Sequence, residues 1–306
     1  MKLISNAVVY RLDLPPAANM AIHLQELPWE EMGEATLSRA SFVPVGGTGE
    51  LVVPIEGGFA FAMRYDEKII PTSALNARTD EAVDKIKKEQ DRRVYRKERQ
   101  EIKETIHAEM ARIAFIKTTV VNAFYRSEDR YLIVATSSEK MAKCLTGNLV
   151  KVVGSVKSET IHIDGLKQGL TTRLTNWLDG IENEGGTAAF RPFDVGSYVQ
   201  MTGLEGGKLT VQVGDTSAAR EGLIEAISAG FAVEAMALVS DSCDFKMTSD
   251  FKFKSIKFDA TDATEDDELD AVGYWRHEAG VQSLIFANVI SQLCTLFGYV
   301  PPIEKE

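Results

Sequence analysis

The sequence predicts an α+β fold in which lobes built on mixed or antiparallel sheet carry one long, projecting basic helix. Three observations predict it. Short alternating apolar segments separated by Gly-rich turns fill residues 3–65. From Thr72 to Thr146 there is no Gly and no Pro, and within that run the stretch 79–115, TDEAVDKIKKEQDRRVYRKERQEIKETIHAEMARIAF, has nothing in its backbone chemistry to break a helix. Strand patterns then return, so the helix leaves a sheet-built body and comes back to it.

In order, residues 3–12 read as a strand, with Val8, Tyr10 and Leu12 on one face, and a short helix follows Pro15 and Pro16 and ends near Pro28. Residues 41–45, 50–54 and 58–65 read as short strands, and 68–71 leads into the long helix. Val83 and Ile86 near its start, and Ile102, Ile106, Met110 and Ile113 near its end, recur at spacings of three and four and give each end a buried stripe. Between Lys87 and Glu101 only Val94 and Tyr95 are apolar, so the middle is either solvated or faces a charged partner.

Residues 120–126 and 131–136 flank Ser-Glu-Asp-Arg as a hairpin, and 138–153 is helical with an interruption at Gly147. The second half offers a strand at 158–163, an amphipathic helix at 166–178, a poorly patterned Gly-rich region at 179–207 and a strand at 209–213. Asp215, Thr216 and Ser217 are candidate N-caps for a helix to about residue 229, and 231–239 is apolar enough for a buried strand. DFKFKSIKF at 250–258 alternates, with Lys252, Lys254 and Lys257 outward and a slip in register at Ser255; a helix at 278–297 closes the chain. No internal repeat is visible. The expected division is a sheet-containing lobe at 1–78, the basic helix with its following hairpin and helix at 79–157, and a C-terminal α+β lobe at 158–306.

Charge is distributed unevenly. Lys85, Lys87, Lys88, Arg92, Arg93, Arg96, Lys97 and Arg99 face only Glu89, Asp91 and Glu98 within residues 85–99, a local +5 on a chain of net charge −11. A body this acidic repels nucleic acid, yet a basic stripe on one arm can meet phosphates while the rest faces away. The plain alternative is a solvated helix laced with i,i+4 pairs such as Glu89 with Arg93, or a scaffold helix for protein contacts. The 306 residues, 44% apolar, are enough for two or three lobes. No run of eighteen apolar residues and no signal-peptide core is present, and Cys144, Cys243 and Cys294 lie far apart. These features point to a cytoplasmic protein without membrane partners, a disulfide framework or a thiolate zinc site.

Catalytic motifs are sparse. Gly46-Gly47-Thr48-Gly49-Glu50 lacks the Lys-Ser/Thr of a phosphate loop and reads as a turn between strands. His23, His107, His162 and His277 fall in no ligand spacing, and GxSxG is absent, so no metal or other cofactor is implied. The one enzyme class left open is a Mg²⁺-dependent nuclease, through Asp244-Phe245-Lys246 and Asp250-Phe251-Lys252. Its candidate catalytic set is Asp244, Asp250 and Lys252, with Asp241 or the acidic run Asp262, Glu265, Asp266, Asp267, Glu268 and Asp270 as further ligands. The opposing reading is of common triplets beside a solvated acidic connector.

ISNAVVYRL at 4–12, SFVPV at 41–45, FAMRYDEKIIP at 61–71, ETIHAEMARIAF at 104–115, DTSAAREGLIEAISAGFAVEAMAL at 215–238 and FKSIKF at 253–258 together resemble the RdgC family of recombination-associated proteins. The resemblance implies a homodimer of crescent-shaped subunits closed into a ring around double-stranded DNA. It further implies little sequence preference, competition with a RecA-type recombinase for the DNA, and a nucleoid-associated location. The family has also been labelled a possible exonuclease. Its Arg-x-Phe ring-closing element is similar to Arg112 with Phe115, one residue further apart here, for which simple core packing of Phe115 is the alternative. Its Lys-Arg-Leu-Lys-Phe strand is similar to Lys254-Ser255-Ile256-Lys257-Phe258, which keeps two of the bases. Gln212-Val213 and Phe231 replace basic residues of relatives, which shifts the expected DNA contacts to Lys85–Arg99 and to Lys252, Lys254 and Lys257.

Overall fold

Ala7–Arg11 (β1) is the strand on which the two halves of the molecule meet. In this computed structural model, which describes residues 1–154, 159–161, 163, 165–180, 189–212, 219–259 and 270–299, β1 lies inside one continuous antiparallel sheet. On one side are β6 (Tyr131–Val134), β5 (Ile116–Arg126), β4 (Gly58–Lys68) and β2 (Ser38–Val43), with β3 (Val52–Ile55) also paired to β4. On the other are β12 (Lys252–Phe258), β11 (Cys243–Thr248), β10 (Ala232–Val239), β8 (Asp194–Thr202) and β9 (Lys208–Gln212), while the short β7 (Glu159–Thr160) also joins β1.

The seam between halves is narrow: in the ladder Ala7 pairs with Phe253 and Val8 with Lys252, and beside it the Ile256 amide donates to the Ser5 carbonyl at 2.9 Å. Packing holds it together. Phe253, fully buried, sits 5.0 Å from the rings of Phe251 and Phe286 and 5.7 Å from Phe245. Each such ring removed from water contributes about 2–3 kcal/mol.

Helices cover the two halves unequally. The first half is sandwiched: α1 (Ala17–Leu24) and α4 (Glu139–Val153) lie on Val8, Tyr10, Phe42, Phe61 and Leu132, and α7 (Ala271–Leu296) lies on the opposite face, where Trp275 stacks on Phe124. The second half carries α5 (Leu166–Gly180), α6 (Arg220–Ser228) and α7 on one face. Among the described residues, its other face has no helix over it. By length and mean hydropathy α7 is apolar enough to cross a membrane, but Ala279, Phe286, Ile290 and Leu293 are buried in the core.

The long helix of the sequence reading is two helices. α2 (Thr72–Gln90) and α3 (Arg96–Arg112) run antiparallel, tied by Arg99 to Asp80 at 2.6 Å and by Lys103 to Asn76 at 3.0 Å. The break needs no Gly or Pro: Asp91 takes a left-handed conformation, φ 44°, which Asp tolerates better than most residues. Folding back lets the apolar stripe around Leu75 and Val83 meet the one around Ile106, whereas a straight rod would leave both in water. The pair still projects, because it connects β4 to β5 beyond the last rung of their ladder, Lys68 with Ile116.

Smaller differences have local causes. α4 runs through Gly147, which lies on the solvent side, where the loss of helix propensity is about 1 kcal/mol. α7 begins seven residues before Glu278 because the Asp270 side chain caps it, accepting from the Gly273 amide at 2.7 Å. β8 lies in the stretch the pattern left unread. The glycines at 46, 47 and 49 make a turn between β2 and β3, with Val45 and Glu50 joined at 2.9 Å and no helix following. His162, the caps Asp215, Thr216 and Ser217, and Asp262, Glu265, Asp266, Asp267 and Glu268 lie outside the described residues.

Candidate nucleic-acid interface

Folding the basic stretch into a hairpin places Lys85, Lys87, Lys88, Arg92, Arg93, Arg96, Lys97 and Arg99 at the free end of the arm, away from its buried base at Leu75, Thr79 and Ala111. Arg92 closes the turn, its Nη1 donating to Glu98 Oε2 at 2.8 Å, and Tyr95 beside it is 75% exposed. Half of these cations already have a carboxylate: Lys85 with Glu89, Lys87 with Asp84, Arg92 with Glu98 and Arg99 with Asp80. Lys88, Arg93, Arg96 and Lys97 have no ion-pair partner among the described residues. The pairs are all exposed, and such pairs contribute about 0–1 kcal/mol; with Asp80 and Asp84 counted beside Glu89, Asp91 and Glu98, the eight bases still leave the arm end an excess of +3 for a polyanion. The pairing lowers the Asp84 and Glu98 carboxyls, through the hydrogen bonds from Lys87 and Arg92 first.

A second group of bases lies on the bare face of the sheet. Cys243, Phe245 and Met247 of β11 point into the core, which turns Asp244, Lys246 and Thr248 outward. On β12, Phe253 and Ile256 point inward across a bulge at Ser255, φ 54°. That extra residue is why Lys254 and Lys257 both face out although they are three apart. Lys246 and Tyr198 were not among the residues the sequence singled out for binding, although the alternation of CDFKMT carries the signal for Lys246.

Acids share this face. Lys252 is held by Asp250 and, at 2.9 Å, by Glu139 from the start of α4, and its side chain is only 22% exposed. Its charge is spent within the molecule, which weakens its expected part in binding DNA. Glu234 is paired with Lys167 at 2.8 Å. Asp244 stands opposite Lys257 in the ladder; burial raises its carboxyl, Asp259 raises it further and Lys257 opposes both.

The three residues of the nuclease reading are not brought together. Asp244 lies near the start of β11 and Asp250 two residues past its end at Thr248; the strand between them spans on the order of 13 Å at about 3.3 Å per residue, too far to share one ion. Asp250 and Lys252 do touch, but as a salt bridge. Among the described residues no three His, Cys, Asp or Glu side chains gather as a metal would need.

Arg112 and Phe115 sit where α3 passes into β5. Arg112 lies 3.8 Å from Glu34 with both groups exposed. Phe115 is 86% exposed, so the core-packing alternative for it fails. Ile113, expected on the buried stripe, is 77% exposed, because α3 ends at Arg112 and the chain turns there. With Ile69, Ile116 and Val120 these side chains leave an apolar patch in water.

Comparison with known proteins gives the family. The chain is 25% identical over 237 residues to the recombination-associated protein RdgC of Neisseria meningitidis, covering 77% of this chain and 74% of that one. It is 27% identical over 272 residues to the protein of the same name from Psychromonas ingrahamii, covering 87% of each, and 24% identical over 250 residues to that of Pseudoalteromonas atlantica, covering 80% and 79%. A family profile described as "Putative exonuclease, RdgC" matches residues 3–300, which hold every element described above, and on that match the chain belongs to the RdgC family of recombination-associated proteins.

Proposed function

We propose that this protein binds duplex DNA without reading its sequence, as a homodimer that closes around the duplex, and thereby limits the access of a RecA-type recombinase to that DNA. The observation that carries the reading is the gathering of eight bases at the exposed end of the helical arm in a chain of net charge −11. An acidic exterior confines contact with a polyanion to the few basic surfaces, and lysine or arginine on phosphate releases counterions whatever the bases are. The bare sheet face with Lys254 and Lys257 is the second such surface. The relatives' name, recombination-associated, supports the biological setting. The reading is of binding, with no catalytic step.

The test is duplex binding over a salt series, on several unrelated sequences. Replacing Arg93, Arg96 and Lys97 by Ala should weaken binding to all sequences alike and lower the slope of log affinity against log salt by up to about 2.7, at roughly 0.9 per phosphate contact. Adding Arg92→Ala also opens the turn, so the triple variant is the cleaner one. Equal binding by the triple variant would remove the arm from the interface.

A further inference from the structure

On the bare sheet face two lysines stand directly opposite one another: Lys246 of β11 pairs in the ladder with Lys254 of β12. Opposed residues on antiparallel strands have their Cβ atoms about 5 Å apart, and like charges there destabilise the pair. No direct ion pair relieves it among the described residues. Asp250 and Glu139 hold Lys252, Glu234 holds Lys167, and no described carboxylate is in ion-pair distance of Lys246 or Lys254.

The pair lines a cavity of about 410 Å³ with Ser137, Tyr198, Gln200 and Lys252, and Glu139, Glu234 and Asp250 also reach its wall, each of them engaged by Lys252 or Lys167. Lys246 Nζ lies 3.7 Å from the centre of the Tyr198 ring, whose hydroxyl donates to Gln200 Oε1 at 3.1 Å. A ring beneath an ammonium fixes it from one side and leaves its other N–H groups pointing into the cavity. With the cavity's three carboxylates engaged by Lys252 and Lys167, two opposed lysines that lack an ion-pair partner of their own among the described residues leave room for an anion from outside.

We infer that Lys246 and Lys254 together hold one phosphate group, as a diester of the duplex backbone, with Tyr198 as the residue that positions Lys246. This rests on the DNA-binding reading above and adds to it a phosphate subsite on the sheet, separate from the arm. The same chemistry accepts free inorganic phosphate, and the experiment distinguishes the two sources.

The variants are Lys246→Gln, Lys254→Gln and their combination, with Tyr198→Phe and Tyr198→Leu. Because one phosphate is shared, each single variant should lower the log–log salt slope by about 0.9, and the double variant by the same amount. The affinity ratio between about 50 and 200 mM salt should then contract by about 3.5-fold in all three. Tyr198→Phe keeps the ring and should bind as wild type; Tyr198→Leu should bind as Lys246→Gln does. Without ligand, the thermal midpoint of each lysine variant should stay level or rise, since a like-charge repulsion is removed. A slope loss in the double variant of about twice the single value, an unchanged slope, or a fall in the unliganded midpoint would each overturn the shared subsite.

Should the wild type fail to bind duplex, the DNA reading falls, and thermal shift in inorganic phosphate against chloride at equal ionic strength decides the subsite. A shift present in wild type and lost in Lys246→Gln and Lys254→Gln supports a free-phosphate site; no shift in wild type overturns it.

Discussion

Lys252 shows how one side chain can look like a DNA contact in sequence and act within the molecule in the fold. Its ammonium bridges Asp250, in the turn before β12, and Glu139, at the start of α4, so it ties the two halves of the sheet beside their two-rung seam. Glu139 is exposed, yet its carboxyl is held down to about 2, first by Lys143 and then by Lys252. The folded value lies below the ordinary 4.5, so this tie is complete above about pH 4.5 and is lost as the pH falls toward 2. Carboxyl-carbon NMR should therefore place the Glu139 midpoint near 2, and Lys252→Met should move it part of the way back, since Lys143 remains. A midpoint unmoved by that substitution would mean that Lys252 takes no part in holding the carboxylate. The buried Asp66 is a second case: burial raises its carboxyl, but hydrogen bonds from Thr118, Arg64 and Trp29 together outweigh it and leave it lowered.

Among the elements, the arm departs most from its sequence pattern. Few of its side chains are buried: Leu75, Thr79 and Val83 on α2, and Ile106 and Ala111 on α3. An element with so small a core opens separately from the sheet it stands on. Ile106→Ala should destabilise the arm by about 2 kcal/mol, the low end for a buried isoleucine, and lower amide protection in α2 and α3 by roughly 30-fold. Hydrogen exchange should meanwhile leave β4 and β5 unchanged. An equal loss in both would show that arm and body unfold as one unit. The basic end is thus carried on an element held by few buried side chains.

Across the whole molecule, the exposed apolar side chains at the root of the arm are the feature least suited to a chain alone in water. Ile69 and Phe115 are joined by a backbone hydrogen bond of 2.9 Å, which fixes the patch even though its side chains are bare. A second copy of the chain would cover it, as the family resemblance of Arg112 and Phe115 to a ring-closing element implies. Light scattering should then give the mass of two chains, and Phe115→Ser should shift it toward one, raising the dimer dissociation constant by roughly 30-fold for an aromatic anchor worth about 2 kcal/mol. A mass unchanged by that substitution would take Phe115 out of the contact.

Period-two and period-3.6 patterns made most strands and helices legible, because they report only which side of an element meets apolar neighbours; β4, β10 and α5 lie where those patterns put them. The basic stretch, the acidic remainder and the register slip at Ser255 were equally local and equally readable. Three things were not. The reversal at Asp91 depends on two distant apolar stripes meeting, the role of Lys252 on where Glu139 arrives, and the opposition of Lys246 and Lys254 on which strands pair. Each is a contact between segments far apart in the chain. A residue's own neighbours in sequence carry its preference for an element, but the partner that neutralises, buries or repels it is set only once the strands have been laid side by side.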